Sequence, residues 1–168
     1  ENTALSEFTL PDGTYTIGDN AFKDCTNLTI VRLSDNAQPT FGRAVFIGAT
    51  SFAGSATSGF FVKNSANGYN DYYKTTSGVL YNMRGDELVC VPTYTKDFMI
   101  SSFADKISDG AMSGLTLANG ELNLYHIKII GKYALADSNV SKVIFEDIAE
   151  LPQGLFEGCT SLTEVTGL

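Results

Sequence analysis

The sequence predicts a repeat solenoid of the α/β type, with short parallel strands on one face, and three observations predict it. A block of the form Ile-Gly-x-x-Ala-Phe returns along the chain. Alternating apolar triplets recur between those blocks. Turn-forming residues such as Pro11-Asp12-Gly13 separate the triplets from the blocks. Self-similarity of this kind marks a solenoid, because each unit needs a stacked neighbour to cover its apolar face.

Taken in order, the first copy runs over residues 17–33, with Ile17-Gly18, Ala21-Phe22, Cys25, Leu28, Val31 and Leu33. Ile47-Gly48, Ser51-Phe52 and Ser55 repeat its first half, ahead of Phe60 and Val62. Ile107, Ala111-Met112 and Leu115 open a further copy, followed by Ile130-Gly131 with Ala134-Leu135, and by Leu151 with Leu155-Phe156 and Cys159. This frame places the buried anchor of each unit at Phe22, Phe52, Met112, Leu135 and Phe156, in steps of 30, 60, 23 and 21 residues. The triplets centred on Thr9, Arg32, Phe61, Met99, Asn123 and Ile144 read as strands whose outer residues point inward and whose middle residue points out. A further strand is expected near Val165. Six to seven rungs result, in one domain over residues 1–168.

The period lapses at about 63–97. There, Val79-Leu80-Tyr81-Asn82 and residues 87–91 flank a Met83-Arg84-Gly85-Asp86 tip, which predicts a β-hairpin. A polar loop rich in Gly, Asn and Tyr precedes it. The expectation is a loop and hairpin that elaborate an otherwise regular stack.

Composition narrows the function. The net charge of -8 excludes the basic surface that nucleic acid requires. It equally disfavours an anionic membrane surface, and no apolar run approaches the roughly 20 residues of a membrane span. Hydrophobic residues make up 43%, enough for a packed core. The opening ENTALSEFTL, without Met or a basic stretch, reads as a trimmed piece of a longer precursor. The three cysteines cannot all pair. Cys25 and Cys159 sit at equivalent positions five rungs apart, roughly 24 Å at one strand spacing per rung, too far for a disulfide. Cys90 has no evident partner in sequence.

Residues 8–33 and 151–165 resemble the BspA-type (Treponema-type) leucine-rich repeat family of bacterial cell-surface proteins, whose pattern is a strand, a Pro/Asp/Gly corner and IGxxAFxxCxxLxxVxL. The segment GVLYNMRGDELVCVP is similar to the hairpin of that family. The resemblance implies a leucine-rich repeat fold and a protein secreted or anchored at the cell surface, often of a host-associated bacterium. It implies adhesion or protein binding, with no catalytic residues and no cofactor.

No residue pattern points to chemistry. His126 is the sole histidine and sits beside a strand end. Neither CxxC nor HxxxH occurs for a metal, and no phosphate-binding glycine loop is present. The carboxylates, including Asp86-Glu87, Asp105, Asp109, Glu146-Asp147 and Glu150, read as solvated surface. The ligand-face candidates are therefore the outward strand residues Arg32, Phe61, Met99, Asn123 and Ile144, several of them apolar where water is expected. In the loop 68–73, Tyr69, Tyr72 and Tyr73 offer an apolar face and a hydroxyl, suited to a sugar or a protein. Arg84-Gly85-Asp86 spells an integrin-binding tripeptide, although Gly85 is also what a tight turn requires. The expected partner is an extracellular or host protein, with a glycan as the first alternative and a structural spacer as the second.

Overall fold

The computed structural model describes residues 4–62, 69–96, 98–146 and 148–168, and shows a stack of coils built from strands and turns. Thirteen strands occur among the described residues: Glu7–Leu10 (β1), Gly13–Ile17 (β2), Ile30–Leu33 (β3), Ala37–Phe41 (β4), Gly59–Val62 (β5), Tyr73–Thr76 (β6), Val79–Asn82 (β7), Glu87–Cys90 (β8), Lys106–Ile107 (β9), Glu121–Leu124 (β10), Ile129–Ile130 (β11), Lys142–Phe145 (β12) and Glu164–Thr166 (β13). No helix occurs among them. The α/β expectation is thus corrected to an all-β solenoid.

The reason lies in the backbone of the Ile-Gly-x-x-Ala-Phe turn. Each such turn carries two left-handed residues four apart: Asn20 and Asp24 (φ 57° and 57°), Ala44 and Gly48 (50° and 76°), Gly110 and Gly114 (63° and 76°), Tyr133 and Asp137 (55° and 58°), Gly154 and Gly158 (65° and 73°). A residue at φ > 0 interrupts a right-handed helix. The amides freed in this way bond to the next coil. Asn20, Phe22 and Asp24 donate to the carbonyls of Arg43, Val45 and Ile47 (3.1, 2.8 and 2.8 Å), and Gly110, Met112 and Gly114 to those of Lys132, Ala134 and Ala136 (2.9, 2.9 and 2.8 Å).

These left-handed pairs also correct the repeat frame. The anchor lies two residues after the first of each pair, so the second anchor is Phe46, and Phe41-Gly42 occupies the Ile17-Gly18 position. Ile17 pairs with Phe41 in the β2–β4 register. Phe22 stacks on Phe46 with centroids 5.5 Å apart. Phe52 is fully buried, but in the slot that Leu28 fills one coil earlier.

The strands form two walls. The first holds the parallel sheets β1–β3–β5 and β10–β12–β13, and the second holds the parallel pair β2–β4 and the sheet β11–β9–β8–β7–β6, in which β6, β7 and β8 run antiparallel. Inward residues stack in register: Phe8, Val31 and Phe60 along one wall, Leu122, Val143 and Val165 further along. The expected strand over 98–100 is absent. The edge of β5 meets the hairpin instead, Phe60 N donating to Gly78 O (2.8 Å), which leaves 98–100 without a ladder partner on that side.

The hairpin is no surface elaboration. Val79, Tyr81, Leu88 and Val91 pack into the apolar cluster formed by residues 104–155, while Leu80 and Cys90 pack into the cluster formed by residues 10–60. β7 is buried on both faces, Val79 and Tyr81 on one side and Leu80 on the other. β8 adds Leu88 and Cys90 to the two clusters while Glu87 and Val89 face the groove side, so the hairpin joins the two halves of the core. Buried hydroxyls mend the interrupted coil ladder beside it. Thr93 Oγ1 donates to Phe46 O (2.8 Å), and Ser113 Oγ accepts from Ala44 N (3.0 Å) while donating to Ala136 O (2.9 Å).

Candidate functional site

The first wall places the strand-face candidates in two groups. Thr9, Arg32 and Phe61 align in register. Arg32 is ion-paired to Glu7 (2.6 Å) and its guanidinium lies 5.8 Å from the centre of the Phe61 ring. Asn123 and Ile144 align in the other sheet, and Asn123 Oδ1 accepts from Tyr125 N (3.0 Å). Met99 joins neither ladder. It projects from the irregular stretch between the two sheets and is 88% exposed.

Two residues beside it escaped the sequence reading. Phe103 is 81% exposed, and Tyr125 is also exposed. Both occupy corners of the coil, and His126 bonds across to the Ser101 carbonyl (3.1 Å), which ties the two corners together. The sequence did carry a signal: a Phe stands at 103 where the first corner carries Gly13.

The hairpin tip is an exposed turn held by its own hydrogen bonds. Gly85 has φ 81° and lies beneath the Lys74 side chain. Asn82 Oδ1 accepts from Gly85 N (2.7 Å) and Glu87 N (3.2 Å), and its Nδ2 donates to Asp86 Oδ1 (2.6 Å). Arg84 Nε sits 3.1 Å from the other Asp86 oxygen. The Asn82 hydrogen bond, with Arg84 beside it, holds the Asp86 carboxyl below its ordinary range. Both carboxylate oxygens of the tripeptide are thus engaged within the turn.

The tyrosine segment packs along the second wall, Gly68 lying outside the described residues, as does Asp147. Asn70 is buried, its Nδ2 donating to Ser34 O (3.0 Å) and its Oδ1 accepting from Tyr72 N (2.9 Å) and Tyr73 N (2.7 Å). Tyr73 donates its hydroxyl to Pro39 O (2.9 Å). Burial, and secondarily Glu87, push its phenol pKa up.

Between this segment and the coils lies a groove of about 1020 Å³, which no local sequence pattern marks. Its lining comes from β4 (Gln38, Thr40), from β8 (Glu87, Val89), from Lys106 and Ser108, from Ile129, and from Glu150 and Pro152, with Tyr72 and Tyr73 as the opposite side. Glu87 Oε1 accepts from Ser108 Oγ (2.6 Å) and pairs with Lys106 Nζ (3.1 Å). No group of three or more potential metal ligands occurs among the described residues. All three cysteines are free, and burial raises the thiol pKa of Cys90.

The chain shares its fold with solved bacterial proteins. A leucine-rich repeat protein from Eubacterium ventriosum superimposes with a TM-score of 0.61 at 20% identity, over 96% of this chain and 48% of that one. A leucine rich cell surface protein from Faecalibacterium prausnitzii does so with a TM-score of 0.53 at 21% identity, over 95% of this chain and 46% of that one. The chain therefore spans about half the length of each. No curated protein matches it. Residues 1–73 and 92–167 match the BspA type leucine rich repeat region in six copies, and the unmatched residues 74–91 are the hairpin that divides the core. The chain belongs to the BspA-type leucine-rich repeat family.

Proposed function

We propose that the chain is a non-enzymatic binding module of an extracellular surface protein, and that it recognises a protein ligand at the first wall and its corner. The exposure of Met99 and Phe103, 88% and 81%, carries this reading. Fully covering one such side chain stabilises an interface by about 1.5–3 kcal/mol, and large apolar side chains grouped on a rigid surface are what a protein partner covers. Ser101, between Met99 and Phe103, is held through its amide by the Tyr81 hydroxyl (3.2 Å) and through its carbonyl by His126 (3.1 Å), so little order has to be gained on binding. Arg32 and Phe61 on one side, and Asn123 and Ile144 on the other, then form the rim.

The test is binding of the chain to immobilised extracellular matrix proteins, measured beside a Met99→Ser/Phe103→Ser variant. Both positions are exposed, so the variant keeps its thermal stability. The reading requires at least one ligand whose affinity falls about tenfold or more in the variant. Equal affinity would remove the corner from the site, and silence across the panel would favour a spacer.

A further inference from the structure

We infer that the groove on the second wall is a binding site for a neutral oligosaccharide, distinct from the protein-binding corner in that it is lined by neither Met99 nor Phe103.

An extended peptide would enter such a cleft by adding a strand to an open sheet edge. Here the edge of β4 is closed by the insert. Pro39 has no amide hydrogen to offer, its carbonyl accepts from the Tyr73 hydroxyl (2.9 Å), and the Ala37 carbonyl lies 3.5 Å from Asn70 Nδ2. On the far side β8 is flanked by β7 and β9, and β9 by β8 and β11, so the open edge there is the two-residue β11 alone. The main chain lining the groove therefore has few pairing groups for a peptide, and recognition falls to side chains.

Charge narrows the ligand further. The chain carries a net charge of -8, yet the groove is lined by three cations (Lys106, Lys128, Lys132) and three anions (Glu87, Asp109, Glu150). A polyanion would meet the carboxylates and a polycation the ammonium groups, each left poorly compensated. A ligand without charge meets alternating donors and acceptors instead. Carboxylates accept from sugar hydroxyls, ammonium groups donate to them, and Gln38 can do both.

Shape completes the case. A pyranose has one face of C–H bonds and a rim of hydroxyls, and Tyr72 offers a matching ring: it is 40% exposed at the side of the groove, with Ile129 also exposed in the lining. The anchoring of Asn70 Oδ1 by the Tyr72 and Tyr73 amides (2.9 and 2.7 Å) fixes the backbone that carries this ring. From β8 through β9 and β11 to residue 150 the groove crosses three coil steps, roughly 14 Å at one strand spacing per step, enough for a short oligosaccharide rather than a single sugar.

Isothermal titration of the full chain with cello-, manno-, xylo- and maltotetraose tests this, with a heparin tetrasaccharide and an unstructured peptide as the competing ligands. At least one neutral tetrasaccharide should bind. Tyr72→Ala should weaken it about tenfold, the scale of one lost ring contact, with thermal unfolding unchanged. Tyr72→Phe should retain binding, and Met99→Ser/Phe103→Ser should leave it untouched. No binding by any of the four, binding indifferent to Tyr72→Ala, or tighter binding of heparin or of the peptide would overturn the assignment.

Discussion

Arg43 reaches along the outside of the stack to Asp137, 94 residues away in sequence and two turns further along, and donates from both Nε (2.9 Å) and Nη2 (2.7 Å) to one carboxylate oxygen. Its Nη1 meets Glu157 (2.6 Å), and its guanidinium lies 5.5 Å from the centre of the Tyr133 ring. One cation thus ties three coils. Arg43→Ala should destabilise the chain by about 1–2 kcal/mol after solvent screening, read from denaturant unfolding. Arg43→Lys should recover less than half of that, because an ammonium offers no planar fork.

The corrected repeat frame separates two glycines that look equivalent in sequence. Gly48 has φ 76°, and a Cβ there would run into Asp24, whereas Gly18 has ordinary φ and open space. Gly48→Ala should therefore cost about 1–2 kcal/mol from the left-handed backbone alone, while Gly18→Ala should be nearly neutral. Equal effects in thermal unfolding would restore the frame read from Ile47-Gly48.

That pair shows how far the sequence was legible. The coil, most of its strands and the buried anchors Met112 and Leu135 followed from local patterns, since each copy repeats the same inward positions. Phe22 and Phe156 take the same position in the outermost coils, where they are only half-buried. The second unit misled because Phe41 stands where other units have Ile or Leu, while Ile47-Gly48 imitates the motif six residues later. The alternation Phe98-Met99-Ile100 satisfied a strand pattern, yet a strand needs a neighbour, and the hairpin had taken that edge. The continuous apolar run Val79-Leu80-Tyr81 did signal burial on both faces, whereas in Leu88-Val89-Cys90-Val91 the half-buried Val89 lines the groove. The groove is assembled from six separated segments and left no local trace.

Alkali should loosen the insert. Tyr73 holds Pro39 through its hydroxyl proton, and burial raises its pKa above the usual 10.0. A raised folded-state value means that this contribution is complete below the unfolded pKa and is lost as pH rises through the folded one. Stability should fall above about pH 10, and Tyr73→Phe should flatten that part of the profile while lowering stability at neutral pH. An unchanged alkaline profile in Tyr73→Phe would contradict the assignment.

The Arg84-Gly85-Asp86 tripeptide should not support adhesion of integrin-bearing cells. Although the Asp86 carboxylate is exposed, both of its oxygens are engaged, by Asn82 and Arg84, and a receptor cation would have to displace them. Asp86→Glu should leave adhesion in divalent cations at the background of the unmodified chain. Cation-dependent adhesion that this substitution abolishes would show that the turn opens.

The central structural claim is that the hairpin is a dividing layer of the core, on which both the groove and the order of the coils depend. Native-state hydrogen exchange at the amides of β7 and β8 tests it most directly. If Leu80, Tyr81 and Leu88 sit between the two halves of the core, the hydrogen-bonded amides of these strands open only with global unfolding, at the same free energy as those of β3 and β12. Exchange at the rate of an exposed hairpin, with β3 and β12 still protected, would contradict the account.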